Sequence, residues 1–252
     1  MLKPDIVAAA AVVLAGCVWG CAPAGPMEHE HKVVELDKSE LTRVHLKMGA
    51  GQLEIKGGAA KLLEADFDYN VPAWKPSVVQ HSTGTQGDVE ISQGSETTVL
   101  GKSENHWQLA LNDAMPMEVI AHFGAGEAHM KLGSLNLRNV ELHMGAGEME
   151  VDLRGNPGKS YRVEIHGGVG SATVYVPTTV AISAAASGGL GSINVTGLEK
   201  RNGRWINPRA ESAPVTIELE VHGGVGEIRI VAAETRTEAG IGITAVETSG
   251  FA

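Results

Sequence analysis

The chain of 252 residues contains few cysteines and few aromatic residues, and its charge is mostly of one sign. Both cysteines, Cys17 and Cys21, lie near the N-terminus, so the rest of the chain can form no disulfide and no cysteine-based metal site. Aromatic residues make up 4% of the sequence, which disfavours a sandwich core built around tryptophans. The net charge of −10 repels polyanions, and we exclude nucleic acid as a partner. The sequence also contains no Ser-His-Asp arrangement, phosphate loop or nucleophile elbow.

The N-terminal segment carries an apolar run, residues 6–15, which follows Lys3 and leads into Leu14-Ala15-Gly16-Cys17. This segment resembles a bacterial lipoprotein signal peptide with its lipobox. Ten apolar residues are too few to cross a bilayer as a helix, which needs about 20. The resemblance implies that residues 1–16 are removed and that Cys17 is lipidated, which would anchor the exported protein to a bacterial membrane, at the periplasmic face or at the cell surface.

A second box, which ends at Cys21, contains the bulky Trp19 and fits the small-residue pattern less well. Residues 17–40 are predicted to be a flexible tether, because residues 22–32 combine two prolines with mixed charges. We therefore expect the folded domain to span residues 41–252.

Glycine occurs 32 times, and a Gly-x-Gly signature returns six times between alternating segments. Four of the six follow one another at intervals of 21, 23 and 21 residues, and such a period is typical of stacked repeats. The predicted corner glycines are Gly49 and Gly51, Gly124 and Gly126, Gly145 and Gly147, Gly168 and Gly170, Gly189 and Gly191, and Gly224 and Gly226.

The apolar residues alternate on both sides of each signature, and their parity changes across it. Each unit is therefore predicted to be two short strands that turn a corner while the apolar face stays inside. Stacking such units in parallel at ~4.8 Å gives an all-β, single-domain parallel β-solenoid. The segments around Gly168 and Gly224 resemble each other at an offset of 56 residues, which makes Gly240-Ile241-Gly242 a predicted seventh, degenerate corner.

Two excursions interrupt the repeat. Residues 57–118 contain Phe67, Tyr69, Trp74 and Trp107, and we expect them to form an N-terminal cap sheet that protects the first rung. Residues 198–214 are predicted to be a basic surface loop. Its Trp205 either folds back onto the solenoid or, with Arg201 and Arg204, contacts a partner.

Four stretches carry a resemblance to a known family. They are GAGQLEI (49–55), LEADFDYNVPAWKP (63–76), WQLALN (107–112) and LNLRNVELHMGAG (135–147). Together they resemble the toast-rack domain of bacterial envelope proteins, over roughly residues 42–251. The resemblance implies a β-solenoid related to adhesin-like surface proteins and to cell-wall stress-response proteins, with no catalytic residues and no cofactor.

Titratable residues recur in register with the corners. Two positions before each first glycine stand Lys47, His122, His143, His166, Ser187 and His222. With Glu141 and Glu164 nearby, the residues His122, His143 and His166 form a candidate ligand field for zinc or a similar cation. The alternative is an outward ladder of half-buried histidines whose charge is compensated by the glutamates.

A second column follows the corners and contains Glu127 and Glu148. Paired carboxylates of this kind could act on a glycan, or they could simply satisfy the amides of the turns. The residues thus predict a non-catalytic, lipid-anchored envelope protein that presents a repetitive β-surface for protein interaction, adhesion or envelope-stress sensing. Its expected partners are the membrane, through the lipid, and an envelope protein or surface polymer, with self-association as a further option. The alternatives are a metal-binding surface protein and, more remotely, a glycan-active enzyme.

Overall fold

The protein is built almost entirely from β-strands, which confirms the predicted all-β class. A computed structural model describes residues 21–95, 98–100 and 102–234. In this part of the chain, the single helix is a 3-10 turn at Pro72–Trp74. In chain order the strands are β1 (Cys21–Pro23), β2 (Glu28–Val34), β3 (Leu41–Gly57), β4 (Leu63–Tyr69), β5 (Pro76–Thr83), β6 (Gln86–Gln93), β7 (Thr98–Leu100), β8 (Asn105–Leu111), β9 (Met117–Lys131), β10 (Leu137–Asp152), β11 (Tyr161–Pro177), β12 (Ala181–Thr196), β13 (Glu199–Arg201), β14 (Arg204–Ile206) and β15 (Thr216–Ala233).

Six long strands, β3, β9, β10, β11, β12 and β15, form the body of the protein. Each strand bends once at its glycine corner, which divides it into a first limb before the bend and a second limb after it. Neighbouring strands pair in parallel along both limbs, as β10 does with β9 from Leu137 to Asp152. The corners therefore lie over one another, and the fold is the predicted parallel β-solenoid.

The spatial order of the six strands is β3, β9, β10, β11, β15, β12. Chain order would place β12 beside β11, but β15 lies between them. The register of β11 with β15 pairs Arg162 with Glu218, an offset of 56 residues. The long-range duplication in the sequence therefore relates two strands that are neighbours in the stack.

Strands from residues 57–118 cover the β3 end of the stack. β6 pairs in parallel with the first limb of β3, and β8 pairs in parallel with the second limb. β5 then pairs antiparallel with β6, β4 with β8, and β2 with β4. β6 and β8 thus continue the two limbs as separate strands, and the edge of β3 is paired on both limbs. β1 and β7 form a small parallel sheet of their own.

The core lies between the two limbs and is aliphatic along the stack. One inner column of paired residues, at most 1% exposed, consists of Leu46, Ala121, Leu142, Ile165 and Val221. The buried aromatic residues lie mainly in the cap, where Phe67 and Trp107 meet edge to face with ring centroids 5.1 Å apart. Alternation at period 2 places these residues inside because successive side chains of a strand point to opposite faces.

The predicted tether, residues 17–40, differs from the structure at Glu28–Val34, which form strand β2 instead of an unstructured linker. β2 pairs with β4 through seven residue pairs. On the outer face His29 contacts Asp68, and the Nδ1 atom of His31 lies 2.7 Å from Asp66 Oδ1. The segment is polar because it is the outermost strand of the cap, and such edges commonly carry charge.

The basic segment 198–214 also differs from the predicted surface loop, because part of it is a hairpin. β13 and β14 pair antiparallel, and β14 continues the sheet by pairing with β12 at Ser183 and Ala184. Trp205 on β14 packs against the hydrophobic core, as in the first of the two predicted arrangements.

None of the described helices is long and apolar enough to span a bilayer. The predicted signal peptide at residues 1–16, the lipidation site Cys17 and the predicted corner Gly240-Ile241-Gly242 lie outside the described residues.

Candidate functional site

The glycine corners fix the register of the stack, and with it the position of every outward side chain. The second glycine of each of the six corners has a positive φ, between 127° and 144°. A Cβ atom on Gly147 would lie 2.0 Å from the carbonyl oxygen of Gly126, and one on Gly124 would lie 2.1 Å from that of Gly49. Each corner therefore fits against the carbonyl of the next, and only glycine permits both the approach and the backbone conformation.

The outward residues two positions before the corners form one column, as predicted. In spatial order they are Lys47, His122, His143, His166, His222 and Ser187. The four imidazole rings stack: the centroids of His122 and His143 are 4.6 Å apart, those of His143 and His166 are 4.7 Å apart, and those of His166 and His222 are 5.1 Å apart. The spacing is that of the strands, because one ring comes from each rung.

A parallel column of glutamates lies beside the central rings. The Nε2–H of His143 donates to Glu141 Oε1 at 2.7 Å, and that of His166 donates to Glu164 Oε1 at 2.8 Å. At the end of the column, His222 Nδ1 and Ser187 Oγ lie 2.9 Å apart. The two central rings therefore share one orientation, with Nε2 turned toward the glutamate of their own strand.

The electrostatics of the column favour neutral imidazole at its β9 end. Partial burial lowers the pKa of His122, and the neighbouring His143 lowers it further. The hydrogen bond from His143 is the main cause that lowers the pKa of Glu141 below its usual value. His122 therefore takes up a proton less readily than an isolated histidine does.

The histidine column forms one wall of a groove that runs along the corners. This histidine groove has a volume of about 710 Å³, and its polar lining residues are Lys47, Ser92, Gln93, His122, His143 and His166. Ser92 and Gln93 come from β6 in the cap. Gln93 is held in place because its Oε1 accepts from the backbone N–H of Gly49 at 3.0 Å and from Asn105 Nδ2 at 3.1 Å.

The five predicted metal ligands, His122, His143, His166, Glu141 and Glu164, are neighbours in the structure, and metal binding by them stays a prediction. Imidazole lone pairs lie in the ring plane, and these rings are parallel to within 9°. Their ring centroids are 4.6–4.7 Å apart, and stacked parallel rings do not turn their lone pairs toward a common point, whereas two nitrogens on a tetrahedral zinc lie about 3.4 Å apart. Among the described residues, no three His, Cys, Asp or Glu side chains are grouped so that they could hold a metal ion. The arrangement corresponds more closely to a histidine ladder.

The carboxylates considered for glycan chemistry lie on the second limb. Glu127 and Glu148 are paired in register and exposed, and neither lines the histidine groove. Glu127 Oε2 accepts from Gln52 Nε2 at 3.4 Å. The two side chains lie on an open sheet face rather than in a cleft that would enclose a sugar.

The basic residues predicted as a partner loop are occupied by contacts within the protein. Arg201 donates to Glu199 at 2.8 Å and to Glu211 at 2.9 Å. Arg204 donates through Nε to Ser183 Oγ at 2.6 Å. The Nζ atom of Lys200 lies 4.6 Å from the centroid of the Trp205 ring. The contact of Arg204 with Ser183 holds the hairpin against β12, and the other contacts lie within residues 198–214.

Sequence reasoning found the histidines but missed the cap residues of the groove. Ser92, Gln93 and Asn105 lie outside the glycine repeat, so periodicity gives no sign that they approach a corner. Asn105 is 2% exposed and donates to the carbonyl oxygen of Ala50 at 2.9 Å, within the first corner. The sequence contained one signal for this contact: Asn105 shares the inner face of its strand with Trp107, and a buried asparagine needs a hydrogen-bond partner.

Two family models match the chain. Residues 23–175 match the N-terminal domain of toast-rack proteins. Residues 125–230 match the C-terminal domain of LiaF, a family described by its cell wall-active antibiotics response. A search of curated proteins finds no significant match.

Solved structures give a further comparison. A candidate cell adhesion protein from Clostridium sporogenes is 32% identical, with a TM-score of 0.79, over 82% of this chain and 100% of that one. A candidate adhesin from Bacteroides fragilis is 9% identical over 84% of this chain and 100% of that one, with a TM-score of 0.34. A candidate lipid-binding protein from Parabacteroides distasonis is 12% identical over 82% of this chain and 98% of that one, with a TM-score of 0.28. The last two scores are too low to support an argument.

Proposed function

Since the chain belongs to the toast-rack family, we propose that it is a non-catalytic, lipid-anchored protein of the bacterial cell envelope that presents its repetitive β-surface to a protein or surface polymer. The role would be adhesion or envelope-stress sensing. It is supported by the Clostridium sporogenes structure, described as a candidate cell adhesion protein, and by the LiaF match, which is described by a response to cell wall-active antibiotics.

The observation that carries this proposal is the register of the six corner strands, which is continuous apart from one shift between Leu137 and Asn139 at the start of β10. The corners lie over one another from β3 to β12, so the side chains at each outward position form a straight column along the stack. The result is a long regular surface that includes the histidine groove, a concavity lined by polar side chains. Regular extended surfaces of this kind are how solenoid proteins engage their partners.

The dimensions of the histidine groove favour an extended partner. From Lys47 to His166 the column crosses three strand spacings, or about 14 Å at ~4.8 Å each. An extended peptide advances about 3.3 Å per residue, so the groove matches roughly four residues of a strand or a comparable length of polymer. Lys47 supplies N–H donors at one end of this length. The Nε2–H groups of His143 and His166 already donate to glutamates, so the remaining nitrogen of each neutral ring is an acceptor. We therefore expect the partner to carry acceptor groups near Lys47 and donor groups along the imidazoles.

Crosslinking in intact cells tests the proposed surface. A photoreactive residue is placed at Lys47, in the groove, and in a matched variant at Glu150, an exposed position on the second limb. We expect the Lys47 variant to give a discrete adduct that the Glu150 variant does not give. No adduct at Lys47, or the same adducts from both positions, would contradict an interaction at this groove.

Fractionation tests the anchor separately. Cys17→Ser is expected to move the protein from the membrane fraction to the soluble fraction, because acyl chains supply the membrane affinity of a lipoprotein. Cys21→Ser is the control and should leave the protein in the membrane fraction. Release by Cys21→Ser instead would assign the lipid to the second box.

A further inference from the structure

The two ends of the stack differ in how the edges of their outer strands are paired. β12 pairs with β15 along one side, from Ala181 to Thr196. On its other side, β14 pairs only with Ser183 and Ala184. Within the described residues, no strand pairs with the outer side of the second limb of β12, Gly191 to Thr196. We call this the β12 edge. An open strand edge is a template for pairing with another strand.

The β12 edge carries no charge. The whole stretch from Ala181 to Leu198 contains no Asp, Glu, Lys or Arg, although the chain carries a net charge of −10. On the same limb at the opposite end, the outermost strand, β2, instead contains Glu28, Glu30 and Lys32. Charged residues on an edge strand prevent pairing between copies, and the β12 edge lacks this protection.

Exposed apolar side chains flank the same edge. Leu190 at the corner of β12 is 73% exposed, and Ile193 on the second limb is 38% exposed. Leu190 pairs in register with Val225, which is 48% exposed. The corresponding corner residues of the first three rungs are alanines. The apolar character of the corners therefore increases toward the open end.

We propose that the β12 edge pairs antiparallel with the β12 edge of a second copy of this chain, about a two-fold axis. A two-fold contact uses the same patch on both copies, and an uncharged patch brings no like charges together. The β12 edge is thus a place where two chains of net charge −10 can approach without facing charges in contact. Pairing supplies partners for the open backbone groups and shields Leu190 and Ile193 from water. This inference does not depend on the proposed envelope function.

Sedimentation velocity on the mature chain, residues 17–252 carrying Cys17→Ser, tests the proposal, because this chain lacks both the lipid and the apolar run at residues 6–15. We expect a reversible species of about twice the monomer mass. Leu190→Lys should weaken dimerisation by at least about tenfold, because it places a charge in the apolar patch that both copies would bury. Leu190 is mostly exposed, so its substitution leaves the fold intact. Val169→Lys is the matched control, since Val169 is an exposed corner residue two rungs from the edge, and it should leave dimerisation unchanged.

Hydrogen exchange locates the contact. Amides of Gly191–Thr196 should exchange more slowly as the protein concentration rises through the dimerisation range. A monomer at every concentration up to about 100 µM, or equal weakening by Val169→Lys, would overturn the proposal. It would also be overturned if the mature chain were monomeric and a variant ending at Glu234 formed dimers, because the chain's own C-terminal residues would then cover the edge.

Discussion

Replacing one corner glycine tests the physical basis of the whole stack. In Gly147→Ala the new Cβ would lie 2.0 Å from the carbonyl oxygen of Gly126, whereas ordinary contacts begin near 3.4 Å. The two rungs would have to separate locally by 3.4 − 2.0, or 1.4 Å. The residue also has a φ of 127°, which an L side chain rarely adopts.

The expected cost follows from these two terms. A non-glycine residue held in such a conformation costs about 1–3 kcal/mol. Forcing extra atoms into a packed site costs about 1–3 kcal/mol more. Gly147→Ala should therefore lower the free energy of unfolding by about 2–6 kcal/mol, a large part of the ~5–15 kcal/mol typical of a folded domain.

Two further substitutions separate the terms. Gly145→Ala introduces a Cβ 2.5 Å from the carbonyl oxygen of Gly124, and its backbone is not in the positive-φ region, so only the steric cost of about 1–3 kcal/mol applies. Gly158 lies in a loop with open space around its Cβ position and no positive φ. Gly158→Ala should change the free energy of unfolding by no more than about 1 kcal/mol and is the control.

Urea unfolding followed by far-UV circular dichroism measures all three variants. The order of destabilisation should be Gly147→Ala, then Gly145→Ala, then Gly158→Ala. A Gly147→Ala variant within about 0.5 kcal/mol of the natural protein would refute the reasoning, because neither the close approach nor the backbone conformation would then restrict the residue at this position.

Three other predictions concern the groove and the cap. The pKa of His122 is lowered in the folded state, so the unfolded chain binds the proton first as the pH falls. Protonation of this residue therefore lowers the free energy of unfolding below about pH 6.5. Urea midpoints should accordingly fall less from pH 7 to pH 5 in His122→Gln than in the natural protein. Asn105→Ala should cost about 2–4 kcal/mol in urea unfolding, since it leaves the Ala50 carbonyl and the Trp107 Nε1–H without their partner. Equimolar Zn²⁺ should leave the melting temperature unchanged, because the stacked rings do not converge on one point; a clear upward shift that His143→Gln abolishes would restore the metal hypothesis.

The architecture could be predicted because its determinants are local and repeated. Each corner carries its own Gly-x-Gly signature, and the parity change around it places one apolar face inside. Once the corners are superposed, the histidine column follows without further information. The groove wall from β6 does not follow, because Ser92 and Gln93 approach Gly49 through pairing between strands that lie about 45 residues apart in the chain.

The order of the stack could not be deduced from the corners alone, since all six have the same signature. The position of β15 depends on which neighbours fit best in register. The match of His222 to His166, and of Val225 to Val169, indicates that β11 and β15 are partners. The sequence contains this information as the 56-residue duplication. The duplication predicts that β11 and β15 are neighbours only if the repeats are placed by sequence similarity and not by their order in the chain.

The histidine ladder and the glycine corners are two consequences of one register. The rings stack at 4.6–4.7 Å between the strands β9, β10 and β11, which follow one another in the chain. Between β11 and β15, which are separated in the chain by β12, β13 and β14, the rings open to 5.1 Å and tilt by 21°. The corners of these two strands still approach closely, since a Cβ on Gly226 would lie 1.7 Å from the carbonyl oxygen of Gly170. The regularity of the ladder therefore decreases toward the end of the stack where the corners turn from alanine to valine and leucine. A partner that recognises the regular spacing of the groove should accordingly bind at the cap end, where His122 and His143 stack at 4.6 Å and Lys47 occupies the next position of the column, and leave the β12 end free.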